Sequence, residues 1–154
     1  MWYGIKPDAM GILLVEDSSA DAHLLMEVVA KKGYAPDIHW VSDGYHALDY
    51  VFQKGRFRDA QRPDMIVLDL NLPRISGYDV LKELKDHDVF CSIPVVILTG
   101  SRDPRDYTQC KALGADMCLA KPHLLKEYEA MIQRMMNWAF LRLVEPAGVK
   151  ASVH

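Results

Sequence analysis

Residues 65–73 read Met-Ile-Val-Leu-Asp-Leu-Asn-Leu-Pro. Met65 to Leu68 are uninterrupted apolar side chains, suited to burial on both faces of a sheet, and the run stops at the charged Asp69. Working outward, further strand candidates lie at Ile12 to Val15, Ile38 to Val41, Val95 to Leu98 and Met117 to Ala120. Between them, Leu24, Leu25, Val28 and Val29 recur at helical spacing, as do Leu48, Val51 and Phe52, then Val80, Leu81 and Leu84. Short strands alternating with amphipathic helices predict an α/β fold, a parallel sheet wrapped by helices.

Boundary residues agree with this parse. Ser18 with Asp21 resembles a capping box, Gly33 suits a helix C-terminus, and Asp103-Pro104 fits an N-cap followed by proline at the first helical position. Gly55 to Pro63 is the one long connection, and its arginines with Phe57 predict an exposed loop. A final helix is expected from Leu124 to about Leu143, with Leu124, Tyr128, Met131, Ile132, Met135 and Ala139 as its sheet-facing stripe. The chain of 154 residues divides into an extension at 1–10, one domain at 11–144 and a tail at 145–154, with no output domain expected to follow.

Half of the residues are hydrophobic and a quarter charged, so the chain should fold. Its 18 basic and 21 acidic side chains leave a net charge of −3, which argues against nucleic acid as a partner. The four-residue apolar run before Glu16-Asp17 fits neither a secretory signal nor a membrane span, so no membrane association and a cytoplasmic location are expected. Cys91, Cys110 and Cys118 lack the paired spacing of a zinc or redox site and read as reduced, structural thiols.

In an open parallel sheet, ligands bind beyond the carboxyl ends of the strands. Glu16-Asp17 follow the first strand, Asp69 the third, Thr99 the fourth, and Lys121-Pro122 the fifth. Taken singly, an acidic pair is usually a solvated turn, a threonine a helix cap and a lysine a surface charge. Four loops presenting these types at one edge form a different object. Carboxylates brought together repel one another unless a cation intervenes, and Mg²⁺ is bound by such oxygen ligands. With its charge screened, an aspartate can attack a phosphoryl group, while Lys121 offsets charge on that group and the Thr99 hydroxyl donates a hydrogen bond to it.

Ile12-Leu13-Leu14-Val15-Glu16-Asp17, Leu68-Asp69-Leu70-Asn71-Leu72-Pro73, Thr99-Gly100 and Lys121-Pro122 together resemble the response-regulator receiver family. The resemblance implies a doubly wound parallel sheet of flavodoxin-like order 2-1-3-4-5, helices on both faces, and phosphoryl transfer from a sensor histidine kinase or phosphotransfer protein. It also implies Asp69 as phosphoacceptor, Thr99 and Lys121 as switch residues, and Mg²⁺ held by Glu16, Asp17, Asp69 and the backbone carbonyl of Asn71. A cis Lys121-Pro122 bond is implied as well, and Gly77 matches the family's turn before the third helix. Arg62-Pro63-Asp64, the Asp69-to-Pro73 segment and the lengthened loop are most similar to stand-alone regulators paired with phytochrome-type kinases. Where the family usually carries an aromatic, three residues before the lysine, this chain has Cys118, so the usual coupling of that ring to the threonine cannot operate.

Rival readings are weaker on particular residues. An aspartate-nucleophile phosphatase needs a proton donor two residues after the nucleophile, which Asn71 cannot be. A flavodoxin-like mononucleotide binder would meet repulsion from Glu16-Asp17, and a receiver-like module that only binds partners would not need every acceptor residue. The expectation is a switch whose only chemistry is its own phosphorylation and dephosphorylation. Trp138, Phe140 and Leu141 lie off the stripe of the last helix and predict a homodimer through it, the alternative being burial under the C-terminal tail.

Overall fold

Alternate residues of the central strands go to opposite faces, and both faces are covered. In the computed structural model, which describes residues 10–144, the strands are β1 (Gly11–Val15), β2 (Asp37–Val41), β3 (Met65–Leu68), β4 (Val95–Thr99) and β5 (Met117–Ala120). They form one parallel sheet in the order β2-β1-β3-β4-β5, as the resemblance implies. The helices are α1 (Ser19–Lys31), α2 (Gly44–Val51), α3 (Gly77–Asp86), α4 (Pro104–Ala112) and α5 (Leu125–Val144).

Leu13, Val15, Ile66, Leu68, Val95 and Ile97 point to one face, where α2, α3 and α4 cover them with Leu48, Val51, Val80, Leu81, Leu84 and Cys110. Ile12, Leu14, Met65, Val67, Val96 and Leu98 point to the other, under Leu25, Val28 and Val29 of α1 and Met131, Ile132 and Met135 of α5. Burying each such side chain contributes about 1.5–3 kcal/mol, so the central strands rather than the edges carry the fold. The edge strands β2 and β5 are only partly buried, and the sheet-facing expectation holds best for β1, β3 and β4.

Local signals act as read. The Ser18 hydroxyl accepts the Asp21 N–H, Asp103 caps α4 ahead of Pro104, and Gly33 takes the left-handed φ of 87° just beyond α1. Four expectations need correction. Phe57 is buried, in a short 3₁₀ turn at Gly55–Phe57, because its ring leaves water to pack beside Tyr50 and His39 while Arg56 lies over it. Leu124 is 63% exposed, because α5 begins one residue later and its preceding carbonyl only caps Tyr128. Trp138, on α5, packs partly against the core with Arg142 over its ring, rather than standing clear of it. No peptide bond among the described residues is cis, so Lys121-Pro122 is trans, the form that proline also favours by about 0.5–1 kcal/mol. Of the extension expected at 1–10 only Met10 is described, and it is buried in the core with its carbonyl accepting the Asp37 N–H at 2.8 Å, while 1–9 and the tail at 145–154 lie outside the described residues.

Candidate functional site: an acidic cluster around Lys121

Each chemical group stands where a strand ends. The Glu16 N–H donates to the Val41 carbonyl at 3.1 Å and the Asp69 N–H to the Val15 carbonyl at 3.1 Å, so the sheet ladder extends one residue past β1 and β3. The Lys121 N–H donates to the Thr99 carbonyl at 2.7 Å, tying the end of β5 to that of β4. Glu16, Asp69 and Thr99 are buried, whereas Asp17 is exposed. A burial pattern of this kind makes a site closed at its floor and open on one side.

Glu16, Asp17 and Asp69 each bring a carboxylate oxygen within 4.8 Å of the others, a hard oxygen set of the kind a divalent cation takes. The Lys121 ammonium donates to Glu16 Oε1 at 2.7 Å, to Asp21 Oδ2 at 3.0 Å and to Asp69 Oδ2 at 3.3 Å. Burial lifts the Glu16 carboxyl to about 7, although hydrogen bonds from Lys121 and the Ser18 N–H pull the other way. Burial also disfavours the Lys121 ammonium, but its hydrogen bond to Glu16 and the charge of Asp69 outweigh that and hold its pKa above the ordinary value. One ammonium among four carboxylates leaves an excess of negative charge for a further cation to balance.

Asp69 Oδ1 accepts the Asn71 N–H at 3.2 Å, and Asn71 itself is exposed at the rim. Thr99 Oγ1 accepts the Ser101 N–H at 3.2 Å, which leaves the hydroxyl proton free to be donated elsewhere. Ser101 in turn donates its hydroxyl to Asp106, which also accepts the Tyr78 hydroxyl, so a hydrogen-bonded chain runs from Thr99 to α3 and α4. Cys118 lies beside Cys110 in the apolar pocket under Thr99, and burial pushes the Cys110 thiol up to about 12. All three cysteines are free, as expected.

The model of the response regulator receiver domain family matches residues 12–133. The chain belongs to that family. The response regulator Rcp1 of Synechocystis sp. is 35% identical to this receiver over 137 residues, covering 89% of this chain and 93% of the relative. A crystal structure of the Mn²⁺-bound form of response regulator Rcp1 superimposes with a TM-score of 0.82 at 35% identity, over 90% of this chain and 99% of that one. One of the phosphorylated cyanobacterial phytochrome response regulator RcpA gives 0.81 at 32% identity, over 86% and 94%. No described helix of the receiver is long and apolar enough to cross a membrane.

Glu16, Asp17, Asp69, Thr99 and Lys121, picked out of the sequence as strand-end residues, are thus gathered at one edge of the receiver. Two contributors escaped that reading. Asp21 was legible only as part of a capping box, yet the Ser18 N–H goes instead to Glu16 Oε2 at 3.1 Å, which leaves the Asp21 carboxylate to hold Lys121. Trp40 carries no strand-end signal, and its indole N–H reaches the Glu16 carbonyl at 2.7 Å. Only the register that sets Trp40 beside Leu14 reveals it.

Proposed function

We propose that this receiver is a stand-alone response regulator that accepts a phosphoryl group on Asp69 from a phosphohistidine and passes the signal on by changing its partner interactions. The observation that carries this reading is the meeting of Asp69, two further acids and one lysine at the carboxyl edge of the sheet. The phosphohistidine would belong to a sensor histidine kinase or a phosphotransfer protein. A phytochrome-type kinase is the partner favoured by the similarity to the cyanobacterial phytochrome response regulator RcpA, which extends over 94% of that chain.

Glu16, Asp17 and Asp69 would hold Mg²⁺, with the Asn71 backbone carbonyl as a further ligand. The bound ion supplies charge screening between the carboxylate and the incoming phosphoryl oxygens. An Asp69 carboxylate oxygen forms the new P–O bond as the P–N bond of the donor breaks, and the electron pair of that bond returns to the imidazole. Lys121, kept in place by Glu16 and Asp21, balances charge on the transferred group, and the Thr99 hydroxyl, which accepts the Ser101 N–H, donates a hydrogen bond to it. Self-association through α5 fits the 63% exposure of Leu141, which a second copy of the chain would cover.

Incubation with Mg²⁺ and a small phosphodonor such as acetyl phosphate, followed by intact-mass measurement, tests the reading. One added phosphoryl group is expected. No mass gain under any donor or metal condition would leave a receiver-like interaction module instead.

A further inference from the structure

We infer that Trp40 is a positioning residue for the acidic site: its indole N–H sets the peptide plane from which Asp17 projects. The inference rests on the cation-site reading above and goes beyond it, because Trp40 supplies no ligand of its own.

Every polar group of Glu16 has a partner. Its N–H donates to the Val41 carbonyl at 3.1 Å, and its carboxylate accepts Lys121 at 2.7 Å and the Ser18 N–H at 3.1 Å. The remaining group, its carbonyl, accepts Trp40 Nε1–H at 2.7 Å. That carbonyl and the N–H of Asp17 belong to one planar peptide unit, so fixing the oxygen fixes the direction in which the chain enters Asp17. The geometry matters here because the β1 ladder reaches only as far as the Glu16 N–H and α1 begins at Ser19, so no backbone ladder bond falls on the peptide between Glu16 and Asp17. Asp17 is the exposed member of the three acids, without the burial that orients Glu16 and Asp69. A donor from a neighbouring strand supplies what local structure does not.

Trp40 is itself well held. It pairs in register with Leu14 of β1, is half-buried against the α1–α5 side of the core, and meets the ring of His23 edge-on at 5.7 Å. A side chain braced by a strand on one side and by α1 on the other can transmit a fixed position rather than follow the loop. Residues that orient ligands from outside the coordination sphere commonly change metal affinity when removed.

The test is Mn²⁺ binding to the full chain, followed by electron paramagnetic resonance, which gives both the dissociation constant and a line shape that reports ligand symmetry. Trp40→Phe keeps a ring against His23 and loses the donor. It should weaken Mn²⁺ binding by about twofold to tenfold, the range for one lost hydrogen bond, and should alter the line shape of the bound ion. His23→Ala loosens the brace but keeps the donor, and should lose clearly less affinity than Trp40→Phe does. If Trp40→Phe does not fold, position 40 can carry 3-benzothienylalanine, which preserves both fused rings and has no N–H, with the same result expected. An unchanged dissociation constant and line shape in the donor-free variant overturn the inference, as does an equal loss in His23→Ala, which would assign the effect to ring packing. A wild-type chain that binds no Mn²⁺ overturns the cation-site reading and this inference with it, whereas a normal wild type beside a normal variant overturns the inference alone.

Discussion

Gly77→Ala should damage both the fold and the acceptor. A Cβ built on Gly77 would lie 2.2 Å from the Asp69 carbonyl oxygen and 2.6 Å from the Leu70 Cα. Both are backbone atoms, so no side-chain rotation relieves the contact, and α3 or the segment after β3 must move. Overpacking of this severity costs about 3 kcal/mol, against a gain of at most about 1 kcal/mol from replacing a helical glycine by alanine. The net loss of about 2 kcal/mol corresponds to a fall in Tm of roughly 4–8 °C for a chain of this size. Gly44 and Gly100 provide the scale. At Gly44 the nearest atom is a Val80 methyl at 2.6 Å, which can yield in part, and at Gly100 nothing lies within 4 Å. Thermal melts should therefore rank Gly100→Ala near wild type, Gly44→Ala lower and Gly77→Ala lowest. Because the clash falls on the carbonyl of Asp69 itself, Gly77→Ala should also phosphorylate more slowly at temperatures where it is fully folded. A Gly77→Ala chain that melts within about 1 °C of wild type, or that ranks above Gly44→Ala, would refute the steric reasoning.

Mg²⁺ at about tenfold above its dissociation constant should stabilise the chain by about 1.4 kcal/mol, a Tm rise of roughly 3–6 °C, and Asp17→Asn should lose most of that rise in a melt. Burial lifts the folded Glu16 from its ordinary 4.5 to about 7, so its contribution to metal-free stability is full below 4.5 and is lost as pH rises through about 7. Titrating melts should show the Mg²⁺ effect growing across that window, as the ion replaces a proton; an effect that shrinks with rising pH would contradict the assignment. Thr99→Ala removes the hydroxyl that links the site to Ser101 and should reduce the hydrogen-exchange response of 101–112 to beryllofluoride, with an undiminished response counting against it. Replacing Phe140 and Leu141 by glutamate should leave the core folded and the chain monomeric, since burying either charge in an interface is costly. Sedimentation on the order of tens of micromolar decides it, and a variant that still dimerises would remove α5 from the interface.

Much of the fold was legible because the central strands are buried on both faces and so read as unbroken apolar runs. Met65 to Leu68 and Val95 to Leu98 could be little else, and Ser18, Gly33 and Asp103-Pro104 marked helix ends through local hydrogen bonding and backbone preference. The acidic cluster was legible for a topological reason. Parallel strands deliver their following residues to one edge, so Glu16, Asp17, Asp69, Thr99 and Lys121 could be grouped by position alone. What escaped depends on distance across the chain. Trp40 lies 24 residues from Glu16 and meets it only through the β1–β2 register, while Asp21 has a local role as a helix-start residue that hides its long-range one with Lys121. The burial of Phe57 and the exposure of Leu124 were misjudged because Phe57 sits in a single 3₁₀ turn and Leu124 just ahead of α5, where spacing does not tell which side a ring or leucine takes. The trans Lys121-Pro122 bond overturns an expectation drawn from resemblance, not from any residue pattern in this chain.

The central claim is that Asp69 accepts the phosphoryl group. It is tested most directly by treating wild type and Asp69→Asn side by side with Mg²⁺ and acetyl phosphate and measuring intact mass. The substituted amide keeps the size of the side chain and its place beside Lys121 but offers no carboxylate to attack phosphorus. Wild type should gain one phosphoryl group and the variant none; an equal mass gain on both would place the acceptor elsewhere.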